Sequence, residues 1–343
     1  LTSLRKLVVP SLLRFILPLA VVLPGLASGA LASPSTSDEL DAIIPGTLKN
    51  YAGPVFDERI VAAQIIMDRA GISPGVIDGR DTMRLRRALS AWSEKTGLPA
   101  RVEEVVNSLR VKPVRPVLVD YVLTGKDVAG PFLSEIPHLF VDQAKLLRLS
   151  FTSVREALAE RFHMDEQYLA ALNPDIDFTK VGAVVRVADI GRAVDVRVTK
   201  VIADQARREV RAYDGEDRLV AVYPASIGST DLPTPQGEHH VVNVAGDPAY
   251  TFSPEFGFQT GTSSGNVVVQ PGPNNPVGTA WIGLSAKSYG IHGTAEPSAI
   301  GLTPSHGCIR LTNWDALELA RMVRRGTQVT ITPASAGPVN TSG

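Results

Sequence analysis

The sequence predicts a multidomain chain: a mainly-β C-terminal domain, built as a mixed β-sandwich or barrel with one helix, preceded by a small all-α module and a small βααβ module. Three observations predict it. Between residues 195 and 333 the stretches DVRVTKVIAD, REVRAY, RLVAVYPASIG, HHVVNV and QVTIT alternate apolar and polar side chains, the period of strands with one buried face. Between 56 and 109 apolar residues recur three and four apart, the period of amphipathic helices. Between 144 and 191 two short helical stretches lie between two strand-like ones. With 343 residues, 44% of them hydrophobic, the chain is long enough for two or three packed domains.

The N-terminus has a different character. Arg5, Lys6 and Arg14 accompany an apolar run from Phe15 to Leu26, which gives way to small residues ending Ala30-Leu31-Ala32. Basic, apolar, then A-x-A is the order of a secretory signal peptide, so residues 1–32 are expected to be one. The run is short of the roughly 20 residues a membrane span needs, and it contains Pro18 and Pro24. Leu1, where Met is usual, reads as an alternative start codon. Residues 33–55, rich in Ser and Pro, are expected to form a loose leader.

From Asp57 onward, Ile60, Ala63, Ile66 and Met67 mark a first helix, broken at Gly71 and Pro74-Gly75. Met83, Leu85, Leu89 and Trp92 mark a second, ending at Gly97. Residues 110–143 are expected to form a proline-punctuated connector with short strands. The βααβ module is expected as a strand from Ala144, helices over 154–162 and 165–172, a turn at Asn173-Pro174 and a strand over 184–187. In the last domain one helix stands out at NWDALELARMVRRG, with Thr312 or Asn313 as N-cap, Leu317, Ala320, Met322 and Val323 near one face, and Gly326 closing it. Arg321, Arg324 and Arg325 suit the C-terminal end of its dipole and read as a solvated basic face. Residues 246–280, rich in Gly, Pro, Asn and Ser, are too long for a hairpin loop and are expected to line a cleft. Residues 334–343 read as a flexible tail.

A net charge of −1 offers no broad basic field, which excludes nucleic acid as a partner on charge alone. The single cysteine, Cys308, cannot form an internal disulfide, unusual in an exported chain. It lies within Ser305-His306-Gly307-Cys308-Ile309-Arg310-Leu311. A buried structural thiol has no use for these neighbours, whereas a nucleophile has a use for each. Gly307 lets the backbone approach a substrate, and amides near Cys308 can face the oxygen of a tetrahedral intermediate. On a strand, Cys308 and Arg310 point to the same face, so the guanidinium can acidify the thiol or bind a substrate carboxylate. Sixteen residues upstream, Tyr289-Gly290-Ile291-His292-Gly293-Thr294 reads as a strand end presenting His292, the candidate base; its orienting partner is either a carboxylate or a backbone carbonyl. His239, His240, His292, His306 and Cys308 could in principle bind zinc, but no H-x-x-x-H or C-x-x-C spacing exists, so neither metal nor cofactor is expected.

YGIHGT followed by SHGCIRL resembles the catalytic motif of the YkuD-type L,D-transpeptidases. The resemblance covers about 195–333 and extends to Thr234-Pro235-Gln236-Gly237, to PGPNNPVG at 271–278, to WIGLS at 281–285 and to SHGCIRLTNWDALELA. It implies Cys308 as nucleophile and His292 as general base, steered by a backbone carbonyl near Gly293. It implies amides of Gly307 and Cys308 around the oxyanion, with His306 and Ser305 in support, and Arg310, Tyr289 and Thr294 at the substrate. The implied activity is attack on the third residue of a peptidoglycan stem peptide, release of D-Ala, and transfer of the acyl group from the thioester to an amine. Water as acceptor would make the enzyme a carboxypeptidase, and a protein amine would attach an envelope protein to the wall. The implied location is the bacterial envelope, at the periplasm.

Two further likenesses lie upstream. Gly75-Val76-Ile77-Asp78-Gly79 between two helices resembles the peptidoglycan-binding helical domain, although the common Phe-Gln pair is here Trp92-Ser93. Residues 144–191, with LAALNPDI, resemble a LysM module without its usual Gly-Asp start. Both imply glycan as a partner. A purely wall-binding protein with a vestigial site is the non-enzymatic alternative, against which Cys308, His292 and Arg310 all argue.

Overall fold

The computed structural model describes residues 56–111, 115–229, 231–252, 265–305 and 307–334. The expected signal segment, the leader and all but the first residue of the tail lie outside them. Among the described residues no helix is long and apolar enough to cross a membrane.

The N-terminal part opens with helix α1 (Glu58–Arg69), whose first amides are capped by the Asp57 carboxylate. Helix α2 (Met83–Thr96) starts at the Thr82 hydroxyl and stops at Gly97, which takes the left-handed conformation. Met83 belongs to α2 but is 52% exposed, so it marks the helix without joining its buried face. After α3 (Val102–Asn107) come strand β1 (Leu118–Val122) and two single-turn helices, α4 (Gly125–Val128) and α5 (Phe140–Gln143). Helices α6 (Val154–Arg161) and α7 (Glu166–Leu172) follow, N-capped by Ser153 and Asp165, and strand β2 (Val184–Ala188) closes the region.

The first strand of this region departs from expectation. No strand begins at Ala144; β2 pairs antiparallel with β1, from within the expected connector. The apolar residues of 144–151 mislead because Leu147 is 98% exposed, while Leu149 spends its backbone on the loop at Pro271 and Asn274. Residues from Phe56 to Ala188 share one apolar core, to which α1, α2, α6, α7, β1 and β2 all contribute.

The C-terminal part is one nine-stranded sheet with a helix. Its strands are β3 (Lys200–Asp204), β4 (Glu209–Tyr213), β5 (Leu219–Pro224), β6 (Ser226–Ile227), β7 (Gly237–Gly246), β10 (Ala280–Leu284), β11 (Gly290–His292), β12 (Ile309–Arg310) and β13 (Gln328–Thr332), in the spatial order β5-β4-β3-β13-β7-β10-β11-β12-β6. Strands β8 (Tyr250–Phe252) and β9 (Val267–Val269) form a separate antiparallel pair. The two edge strands of the large sheet, β5 and β6, are joined by Ala225 alone, so the sheet curls back on itself into a nearly closed barrel. Its interior holds Val201, Ala203, Val210, Tyr223, Ile282, Ile291, Ile309 and Val329. Helix α8 (Asn313–Met322) adds Ala316, Leu319 and Met322 to this core.

The two parts meet along β5. Residues Gly71–Ser73 pair with Val222 through the Ser73 and Val222 amides, covering an edge that would otherwise offer unpaired backbone groups. Val222 packs into the N-terminal core, whereas Ala221 and Tyr223 pack into the barrel. Further contacts are Ser73 to Asp315 (3.0 Å), and Arg84 and Arg87 to the carbonyls of Ser298 (2.5 Å) and Gly301 (2.8 Å).

Candidate active site

Strands β11 and β12 run parallel, with His292 beside Arg310 and Ile291 beside Ile309. Paired residues share a face of the sheet, and successive residues alternate between faces. Ile291 and Ile309 point into the barrel core, fully buried. His292, Arg310 and, two residues before Arg310, Cys308 therefore share the outer face. The same register sets Cys308 beside Gly290, and the thiol donates to the Ser288 carbonyl with Sγ and O 3.8 Å apart.

Across β10, Trp281 lies opposite His292, and the two rings stack with centroids 5.6 Å apart at 19°. The indole also passes over Gly290, where a Cβ would stand 2.6 Å from its ring. His292 is 5% exposed, and its Nδ1 donates to the Gly293 carbonyl at 2.7 Å. A carbonyl can only accept, so this bond fixes the proton on Nδ1 and leaves Nε2 as the basic nitrogen of the neutral ring. Burial and the nearby Arg310 charge push His292 down to about 4, in spite of the Gly293 carbonyl. Burial pushes the Cys308 thiol up, opposed by the Gly290 amide and Arg310. Thiol and imidazole are thus both neutral near pH 7.

The loop before Cys308 is clamped from two sides. The Ser305 hydroxyl donates to the Cys308 carbonyl (2.5 Å) and accepts from the Gly228 amide (2.7 Å). The Thr234 hydroxyl, 1% exposed, donates to the Gly307 carbonyl at 2.5 Å. Gly307 has φ +105°, in the region closed to most side chains, and the Tyr289 ring packs against it. Arg310 donates through Nη2 to the Pro304 carbonyl (2.8 Å), and its buried Nε has no partner among the described residues. Burial lowers the Arg310 pKa, with Glu296 and Cys308 acting in the opposite direction.

Of the other residues expected at the site, Thr294 is 4% exposed and its hydroxyl accepts from the Glu296 amide. It shapes the turn after β11. His306 lies outside the described residues. His239 bonds the Pro235 carbonyl through Nε2, and its neighbour His240 is exposed. Among the described residues no group of three or more His, Cys, Asp or Glu is arranged to hold a metal. Four residues were not read from the sequence as parts of the site: Thr234, Trp281, Asn313 and Tyr250. Burial raises the pKa of the Tyr250 hydroxyl, on β8, and a charge on Cys308 would add to that. A cavity of about 420 Å³ lies between the two parts, lined by Asp68, Glu160, His163, Asn313, Asp315 and Glu318 among others.

The family model YkuD, the L,D-transpeptidase catalytic domain, matches residues 199–331. YkuD of Bacillus licheniformis, named as an L,D-transpeptidase, is 36% identical over 179 residues, 52% of this chain and 93% of that protein. YkuD of Bacillus subtilis is 36% identical over 115 residues, but this chain covers 55% of its length. YbiS of Escherichia coli K12, also named as an L,D-transpeptidase, is 29% identical over 183 residues, with 52% of this chain and 60% of that protein covered. A solved L,D-transpeptidase from Mycobacterium smegmatis aligns with 44% of this chain and 66% of its own, at 19% identity and a TM-score of 0.32. The chain belongs to the YkuD-type L,D-transpeptidases and is an acyltransferase.

Proposed function

We propose that the protein is an exported enzyme of the bacterial envelope, working in the periplasm on peptidoglycan. Cys308 attacks the carbonyl of the third residue of a tetrapeptide stem, while Nε2 of His292 takes the thiol proton. Collapse of the tetrahedral intermediate breaks the L,D peptide bond, and His292 returns the proton to the departing D-Ala amine. The thioester on Cys308 is then attacked by an amine of a second stem, whose proton passes through His292 back to the sulfur. The product is a 3-3 cross-link. Covalent catalysis divides one difficult exchange into two easier steps.

The observation that carries this reading is the outer face of β11 and β12, where His292, with Nδ1 committed to Gly293, shares one side with Cys308 and Arg310. A neutral thiol on the same face as a neutral imidazole suits proton transfer during attack. Thr234 also supports an oxyanion site. It draws the Gly307 carbonyl toward itself, so the Cys308 N–H at the other edge of that trans peptide points the opposite way. Arg310, on the same face as Cys308, suits a substrate carboxylate. The N-terminal helices and the β1–β2 region, through their likeness to wall-binding modules, suit glycan.

Intact mass spectrometry of the protein with a tetrapeptide-stem muropeptide tests the proposal. A thioester adduct on Cys308 followed by 3-3-linked dimers supports it. An adduct that yields only tripeptide and D-Ala would replace it with hydrolysis or with a protein acceptor, and the absence of any adduct would overturn it.

A further inference from the structure

We propose that Glu160, on helix α6 of the N-terminal part, is a positioning residue for the His292 base of the barrel and acts through Asn313. The inference rests on the reading of His292 as that base. Asn313 is 2% exposed, and its carboxamide uses every hydrogen-bonding position it has. Oδ1 accepts from the amides of Thr279 and Thr294, both at 3.1 Å. Nδ2 donates to the Pro273 carbonyl (3.0 Å) and toward the two carboxyl oxygens of Glu160 (2.8 and 3.1 Å). This orientation has no alternative, because two backbone N–H groups need an acceptor while a carbonyl and a carboxyl group need a donor.

The consequence for the base passes through one rigid unit. The Thr294 N–H and the Gly293 C=O belong to the same peptide plane. One edge of that plane is held by Asn313, and the other accepts from His292 Nδ1. Gly293 lies so close that a Cβ there would stand 2.2 Å from Asn313 Oδ1. Rotation of the Asn313 carboxamide therefore turns the peptide that orients the imidazole. Glu160 and Pro273 oppose that rotation, and Glu160 comes from outside the domain matched by the family model. On this account the N-terminal part completes the active site in addition to any role in tethering.

The test compares Glu160→Ala and Glu160→Gln in the full chain. It measures the rate at which a tetrapeptide-stem muropeptide acylates Cys308, the KM, and the ¹⁵N signals of the His292 ring. Misplaced catalytic groups lose rate more than binding, so E160A should acylate about tenfold more slowly with KM within about twofold of wild type. Its Nδ1–H signal should weaken as the tautomer loses its anchor. E160Q, which keeps an acceptor oxygen, should recover most of the rate and the signal. E160A with a wild-type rate per folded molecule and an unchanged ring signal would overturn the proposal, as would E160Q failing as badly as E160A while fully folded. A wild-type protein that forms no adduct would instead sink the reading of the site, and the ring signal would then decide the Glu160 link alone.

Discussion

At the scale of single residues, His292 and Cys308 have protonation preferences that oppose an ion pair. A base with its pKa lowered to about 4 stays neutral, and so competent, at every pH above that value. Below it the imidazole is protonated and Nε2 can no longer accept. The acid limb of kcat/KM is accordingly expected near pH 4, well under the ordinary histidine range of about 6.5. An acid limb at the ordinary value would mean that the His292 environment in solution is wetter than described. Cys308→Ala should abolish turnover while the circular dichroism spectrum and melting temperature stay close to wild type, because a half-buried sulfur contributes little packing. Residual turnover in that variant would remove Cys308 from the mechanism. The residues proposed to carry the chemistry stand out in the sequence because they lie in short glycine-flanked motifs. Trp281 and Asn313 were not. Trp281 is set over His292 by the pairing of β10 with β11, and Asn313 was read as a possible cap when Thr312 already caps α8. Nothing in the order of residues announces either contact.

At the scale of elements, the loop before β12 depends on hydroxyl groups that come from far along the chain. Thr234→Val keeps the shape and removes the donor to the Gly307 carbonyl. A buried carbonyl left without its partner costs about 1–3 kcal/mol, so urea denaturation should register a loss in that range, together with slower acylation. Unchanged stability and rate would show that the clamp is dispensable. Helices were legible here because caps and spacing are local. Asp57, Thr82, Ser153, Asp165 and Thr312 all accept from the first turns of their helices. The strand expected at Ala144 failed because Leu146, Leu147 and Leu149 look like a strand core, yet this stretch lies against the Pro271 loop with Leu147 in solvent. Which of two apolar stretches joins a sheet depends on the partner strand, and β1 lay in the segment read as a connector with short strands.

At the scale of the whole molecule, the N-terminal part is docked through buried polar groups and not merely tethered. Arg211 on β4 lies between Glu94 of α2 (2.7 Å) and Glu209 (3.1 Å). Glu160, Asp315 and Glu318, all around the same cavity, have carboxyl groups pushed up by burial, Glu160 to about 8. The excised barrel, residues 195–334, would expose Arg211, Asp315, Glu318 and Val222 together. It is expected to melt well below the full chain and to acylate more slowly; equal stability would mean that the docking face contributes nothing. Changes in periodicity mark helical and strand-rich stretches in the sequence, but the shared core of residues 56–188 and the docking are not legible there, because single side chains at Ser73, Arg84 and Glu160 carry the docking.

Strand β5 has a consequence for how the molecule comes apart. Its successive residues Ala221, Val222 and Tyr223 alternate between two hydrophobic interiors, so neither interior can melt without stripping a wall from the other. Heat should therefore take both in a single transition, with the calorimetric enthalpy equal to the van't Hoff value for the described chain as one cooperative unit.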